Sequence, residues 1–445
     1  MQTFFLRFPL VATFLRFSLI ATFFLVQTNL AQSQNLYFPP LAGTTWQTVS
    51  PTSLGWCGVG LDSLNAYVER THADAFIVLK DGKIALEWYY GSFTQDSIHY
   101  WASAGKTMTG LLAGIAQSEG FLNINDITSR FLGNGWTSLP PAKERLITIK
   151  NQLSMTTGLD DGVPDDNCTT PSCLVYSADA GTRWSYHNAP YRLMQDVIAA
   201  ASGMTYQNYT ATRLKQKTGM NGLWYDYIYY STPRSMARFG LLLLNKGRWN
   251  TTTVLSDTAY FGAMTRSSNT LNPSYGYLTW LNGKGRVMVP QSQFVFQQNL
   301  IPSAPSDMYC ALGKNDQKIY VVPSQNIVII RMGDAGTNAA LALSAFDEIF
   351  WQKMNAAFCI TNTENRNENK ANVRISPNPS NDILRFETAE TITNIDIYNS
   401  LGQVVLTQTT SSASTLSVAH LPQGVYFVKV KTDKGVFSAQ FFRVQ

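Results

Sequence analysis

Trp101-Ala102-Ser103-Ala104-Gly105-Lys106-Thr107-Met108-Thr109-Gly110-Leu111-Leu112-Ala113-Gly114-Ile115-Ala116 is the stretch on which the fold turns. Met108, Leu111, Leu112, Ile115 and Ala116 recur at helical spacing, which predicts a helix with one face in a core. Ser103 and Lys106 share one side of its first turn, because residues three apart on a helix are neighbours. Free N–H groups and positive potential at a helix start suit an anionic transition state. A serine hydroxyl is a weak nucleophile and needs a base within hydrogen-bond reach. Lysine can serve only when neutral, so its pKa must fall by roughly three units, about 4 kcal/mol, through burial and nearby positive charge.

An arbitrary Ser-x-x-Lys is ordinarily a capping serine and a solvated lysine. Here it is the only such spacing in the chain and it precedes a strongly apolar run, which favours a buried pair. Other hydrolase templates fit poorly. The nucleophile elbow requires glycine where Trp101 stands, no His/Asp arrangement suggests a triad, and His72, His99, His187 and His420 are too dispersed for a zinc cluster. No metal or cofactor is expected.

Outward from this helix the pattern is α/β, of the α+β kind. Asp62 is placed to cap a short helix through Leu64, Tyr67 and Val68. Residues 75–79 and 84–89 read as strands joined by an Asp81-Gly82 turn. A mostly helical middle follows. Residues 308–312, 319–322 and 327–331 then read as strands and 338–355 as a helix. Strands near both ends with helices between them predict one sheet closed by the two ends of the domain, with a helical subdomain inserted.

The 445 residues carry only 14% charged side chains, 12% aromatics and a net charge of +5, and two of the arginines, Arg7 and Arg16, lie in the first 33 residues. The remaining basic residues form no run, so neither nucleic acid nor a membrane surface is an expected partner. Residues 1–33 have an apolar centre at 17–26 and small residues Ala31 and Ser33, the pattern of a cleaved signal peptide. No later segment is apolar enough to span a bilayer, so no stable membrane span is expected after its removal. A lead-in at 34–50, a main domain at 51–360, a polar linker at 361–371 and a small all-β sandwich at 372–445 complete the expected organisation. Export permits disulfides among Cys57, Cys168, Cys173, Cys310 and Cys359, and the odd number leaves at least one thiol free.

Two longer stretches make a resemblance specific: Ile147-Thr148-Ile149-Lys150-Asn151-Gln152-Leu153-Ser154-Met155-Thr156-Thr157-Gly158-Leu159, and Ser235 through Trp249. With Ser103-Ala104-Gly105-Lys106, residues 60–355 resemble the serine β-lactamase and penicillin-binding superfamily, in particular class C-like hydrolases, esterases and 6-aminohexanoate-dimer hydrolases. The resemblance implies Ser103 as nucleophile, Lys106 as its base and Tyr186 as proton shuttle, within Tyr186-His187-Asn188, where Asn188 orients Lys106 or the substrate. Tyr206-Gln207-Asn208 also fits the bare Tyr-x-Asn pattern, but Tyr206 reads as a packing residue inside a helix; His187 is expected to be structural. The third family motif falls at Ala311-Leu312-Gly313 before Lys314. There Gly313 would let substrate approach, and the amides of Lys314 and Ser103 would form an oxyanion hole. Ala311 stands where the family carries a cation for the substrate carboxylate, which argues for esters or uncharged amides over β-lactams or D-Ala-D-Ala peptides. In that fold the far ends of the first and last helices meet, implying a Cys57–Cys359 bridge. Cys168–Cys173 would close a loop, with Cys310 left free.

The tail carries Ser376-Pro377-Asn378-Pro379, residues 397–402 and Leu421-Pro422-Gln423-Gly424-Val425-Tyr426, and resembles the type IX secretion sorting domain. The expected protein is thus a secreted or cell-surface serine hydrolase acting on a small ester, amide or peptide-like substrate and handled by type IX machinery. β-Lactamase or D-alanyl-D-alanine carboxypeptidase activity is the nearest alternative. A catalytically inactive peptidoglycan- or peptide-binding protein of the same fold is the alternative from another class.

Overall fold

The computed structural model describes residues 36–335, 345–359, 373–399, 403–409 and 414–444. The expected signal peptide, the linker at 361–371 and the first part of the helix expected at 338–355 lie outside them.

The strands β1 (Ala73–Lys80), β2 (Lys83–Tyr89), β3 (Trp280–Leu281), β4 (Tyr309–Gly313), β5 (Gln317–Val322) and β6 (Ile327–Gly333) form one antiparallel sheet in the order β2-β1-β6-β5-β4-β3. An early strand thus lies beside the last one, with Val78 opposite Ile329 and Phe76 opposite Arg331. Asp81 and Gly82 both have positive φ, 52° and 81°, the two-residue hairpin geometry that matches strand twist.

β4, β5 and β6 are buried at every position because both faces are covered. On one face lie α1 (Gly58–Arg70) and the C-terminal helix Ala345–Ala357: Phe76 and Tyr320 pack on Phe350, and the Arg331 guanidinium sits 4.9 Å from the Phe346 ring centre. On the other face lies the helix Pro233–Leu244, which comes close at Gly240. A Cβ there would meet the side chains of Val328 and Ile319.

α1 corrects one expectation. Its N-cap is Cys57 and Asp62 lies inside the helix. The Cys57 amide donates to the Ala357 carbonyl at 2.9 Å and Cys57 is bonded to Cys359, so tertiary anchoring starts the helix before the position a local cap would choose. Cys168 is likewise bonded to Cys173, and Cys310 is a buried free thiol.

The helix that carries Lys106, α2 (Gly105–Ser118), is buried from Gly105 to Ala116 rather than on one face alone. Its glycines explain this. A Cβ at Gly110 would sit 2.7 Å from the Tyr277 carbonyl oxygen, and one at Gly114 would strike the Tyr260 ring, so neighbouring elements press onto the small-residue face as well.

The C-terminal strands make two small antiparallel sheets. One holds Arg374–Ser376, Ile383–Glu387 and Thr415–Ser417; the other holds Ile392–Tyr398, Val404–Thr409, Gly424–Thr432 and Val436–Arg443. Their alternating inward residues, among them Leu384, Phe386, Ile395, Ile397, Val428 and Phe441, form a core of their own.

Candidate active site

Ser103 lies in a short 3-10 turn, Ala102–Ala104, that runs directly into α2. The preceding residue, Ala102, has φ 46°, a left-handed conformation that a β-carbon disfavours by roughly 1–3 kcal/mol. The turn is clamped from both sides. The Trp101 amide donates to the Tyr229 carbonyl at 2.8 Å, and the Trp101 indole N–H donates to Ser231 Oγ at 2.9 Å.

Lys106 reaches back one turn, and its Nζ lies 2.8 Å from Ser103 Oγ. The same nitrogen donates to Asn188 Oδ1 at 2.7 Å. It also lies 4.3 Å from the ring centre of Tyr191 and 5.0 Å from that of Tyr186. Lys106 is only 3% exposed. Burial pulls its pKa down from 10.5 to about 7, opposed by the Asp166 carboxylate and assisted by the Arg192 guanidinium.

Tyr186 and Asn188 come from the entry to the helix Asn188–Ser202, here α3. Burial pushes the Tyr186 phenol well above its ordinary pKa, a rise the Ser103 hydroxyl partly offsets by hydrogen bonding. At neutral pH this phenol therefore keeps its proton. An aromatic wall backs it: Trp280 stacks on Tyr186 at 5.7 Å, and Tyr275 stands edge-on to Trp280 at 4.8 Å. Tyr206 opens the short helix Tyr206–Thr210 and shares a 2.8 Å hydrogen bond with Thr109. His187 is buried, with its pKa lowered by that burial, and its ring nitrogens meet no hydrogen-bond partner among the described residues.

The end of β4 abuts the turn that holds Ser103. A Cβ on Gly313 would sit 2.5 Å from the Trp101 carbonyl oxygen and 3.0 Å from the Ala104 nitrogen, so glycine is needed there for backbone to pass backbone. Its φ of −127° demands no glycine. Lys314 follows, exposed, in the turn to β5. Ala311 is buried in β4. On the adjacent strand the buried Lys318 ammonium lies 2.8 Å from Asp347 and 3.2 Å from Asp316, committed to that cluster.

Two charged residues at this site escaped the sequence reading. Arg192 stands one turn after Asn188 on α3, a helical spacing that could have revealed it. Asp166 lies in a loop, where no periodicity points to it.

A half-buried serine beside a buried lysine at the start of a central helix, next to an antiparallel sheet in which an early strand pairs with the last, defines the penicillin-recognising class of folds. The chain belongs to the β-lactamase family, whose profile matches residues 64–348. Residues 374–443 match the secretion system C-terminal sorting domain, which marks the chain for type IX secretion to the cell surface or beyond. A β-lactamase of Escherichia coli K12 is 26% identical over 138 residues, 29% of this chain and 36% of that protein; the match thus spans about a third of its length. Among solved structures, a provisionally assigned β-lactamase from Bacteroides dorei superposes with a TM-score of 0.55 at 15% identity, over 68% of this chain and 99% of its own. A provisionally assigned 6-aminohexanoate-dimer hydrolase from Bacillus anthracis gives 0.54 at 18%, over 72% and 88%. No described helix is long and apolar enough to cross a membrane.

Proposed function

We propose that this chain is a secreted serine hydrolase that cleaves an ester or uncharged amide through an acyl-enzyme on Ser103. One observation carries the reading: Lys106 Nζ lies 2.8 Å from Ser103 Oγ while burial holds its pKa at about 7, so an amine is available as a base at neutral pH. The domain limits 51–360 for the hydrolase and 372–445 for the sorting sandwich belong to the same proposal.

In the first half-reaction Ser103 Oγ bonds to the substrate carbonyl carbon as its proton passes to Lys106. Collapse of the tetrahedral intermediate breaks the bond to the leaving group, which takes a proton from Tyr186, and Lys106 restores the phenol. Water then attacks the acyl-enzyme, giving up a proton through the same pair, and Ser103 leaves protonated. The amides of Ser103 and Lys314 are the proposed oxyanion donors, supported by the close passage of Gly313 across the nucleophile turn. Ala311 offers no charge to a substrate carboxylate, which favours esters and uncharged amides.

A fluorophosphonate probe should label the wild-type protein and leave Ser103→Ala unlabelled. A folded wild type that stays unlabelled refutes the hydrolase and favours the ligand-binding alternative. Within a panel of p-nitrophenyl esters, linear amide oligomers, a D-Ala-D-Ala peptide and nitrocefin, rapid turnover of nitrocefin would defeat the argument from Ala311 and make the chain a β-lactamase.

A further inference from the structure

We propose that Asp166 is a positioning residue of this site: it fixes which end of the Asn188 carboxamide faces Lys106 and places an anion one amide away from the amine. The inference rests on the Ser103/Lys106 reading above.

The geometry is a relay of three groups. Asn188 Nδ2 donates to Asp166 Oδ2 at 2.9 Å, while Asn188 Oδ1 accepts from Lys106 Nζ at 2.7 Å. A carboxylate only accepts hydrogen bonds, so it holds the amide nitrogen on its own side and turns the amide oxygen towards the lysine. That choice matters chemically. A neutral amine has two N–H donors and one lone pair. With an oxygen facing it, Lys106 spends a donor on Asn188 and keeps its lone pair for the Ser103 hydroxyl. With the carboxamide reversed, an N–H would compete for that lone pair and the base would be lost.

The second half of the inference is electrostatic. The charged groups acting on Lys106 are Asp166 from the loop, which raises its pKa, and Arg192 from α3, which lowers it. The other groups around the ammonium are the Ser103 hydroxyl and the rings of Tyr186 and Tyr191. Asp166 also acts on Tyr186 and on His187. It is therefore the anion that limits how far burial depresses Lys106.

The loop is built to hold this carboxylate still. The Asp166 carbonyl accepts from the Ala189 amide at 2.8 Å, pinning the loop to the first turn of α3 beside Asn188. Asp166 Oδ1 accepts from Asn167 Nδ2 at 3.0 Å, so both carboxylate oxygens are engaged. Arg192 Nη1 donates to the Asn167 carbonyl at 3.4 Å. The Cys168–Cys173 bridge then closes the chain immediately beyond.

The test is Asp166→Asn in the full chain, read two ways. Carbon-13 lysine NMR follows the titration of Lys106, its signal assigned by its loss in Lys106→Met. The midpoint should fall by about half a unit or more when the anion is removed. The limiting rate of fluorophosphonate labelling at Ser103, above that midpoint, should fall about tenfold because the carboxamide is free to turn. An unmoved midpoint overturns the electrostatic role and a wild-type limiting rate overturns the orienting role. Asp166→Ser supplies the same two numbers should the asparagine variant fold poorly, and Asp166→Glu should recover the midpoint. If wild type resists the probe while the midpoint still falls, the hydrolase reading fails and the electrostatic role of Asp166 stands.

Discussion

Replacing Lys106 by methionine should abolish labelling of Ser103 and yet make the protein more heat-stable below neutral pH. The lysine is buried, and its pKa falls from 10.5 to about 7 on folding. A native state that binds the proton more weakly than the unfolded chain is penalised wherever the unfolded lysine is charged. The penalty is complete below pH 7, shrinks as pH rises from 7 towards 10.5 and vanishes above. At about 1.4 kcal/mol per unit the depression corresponds to roughly 4–5 kcal/mol. Methionine keeps the length and apolar stem but strands Asn188 Oδ1 and one contact to Ser103, a loss of roughly 1–3 kcal/mol. The net gain at pH 6 is therefore on the order of 1–4 kcal/mol, a rise of several degrees in Tm. Paired calorimetric scans of wild type and Lys106→Met at pH 6, 8 and 10 isolate the effect, because every other titration is common to both proteins. The advantage of the variant should shrink steadily across that series and reverse at its alkaline end. A Tm difference that stays flat with pH would show that Lys106 is not depressed, and the base in the proposed chemistry would be lost with it.

Gly313→Ala should slow Ser103 labelling by at least tenfold and lower Tm, since its Cβ must displace the Trp101 carbonyl oxygen 2.5 Å away; unchanged labelling would show that β4 does not hold the nucleophile turn. Cys57→Ser with Cys359→Ser opens a link between residues 302 apart in sequence, for which loop entropy sets a ceiling of about 5–6 kcal/mol. Thermal unfolding should come several degrees earlier, with labelling at 25 °C intact, because the bridge joins α1 to the C-terminal helix at a distance from Ser103.

What the sequence revealed and what it withheld divide along a physical line. β5 and β6 were readable because a strand covered on both faces must be apolar at almost every position, and Ile327-Val328-Ile329-Ile330 meets that demand without reference to anything distant. Ser103 and Lys106 were readable because a helix fixes the relation between residues three apart. The start of α1 was not, because a contact to Ala357 and a bond to Cys359 decide it, and those partners lie some 300 residues away. Asp166 was hidden for the same reason: its role depends on an irregular loop returning to Asn188, 22 residues later, within 2.9 Å. The pair that would perform the chemistry is thus a local fact, whereas the pKa that would make it work is tertiary, summed from burial, Arg192 and Asp166. It follows that Ser-x-x-Lys by itself predicts a site and never its activity. Two chains sharing those four residues can differ in the pH at which their lysine becomes a base, according to what a loop far along the chain brings to the carboxamide beside it.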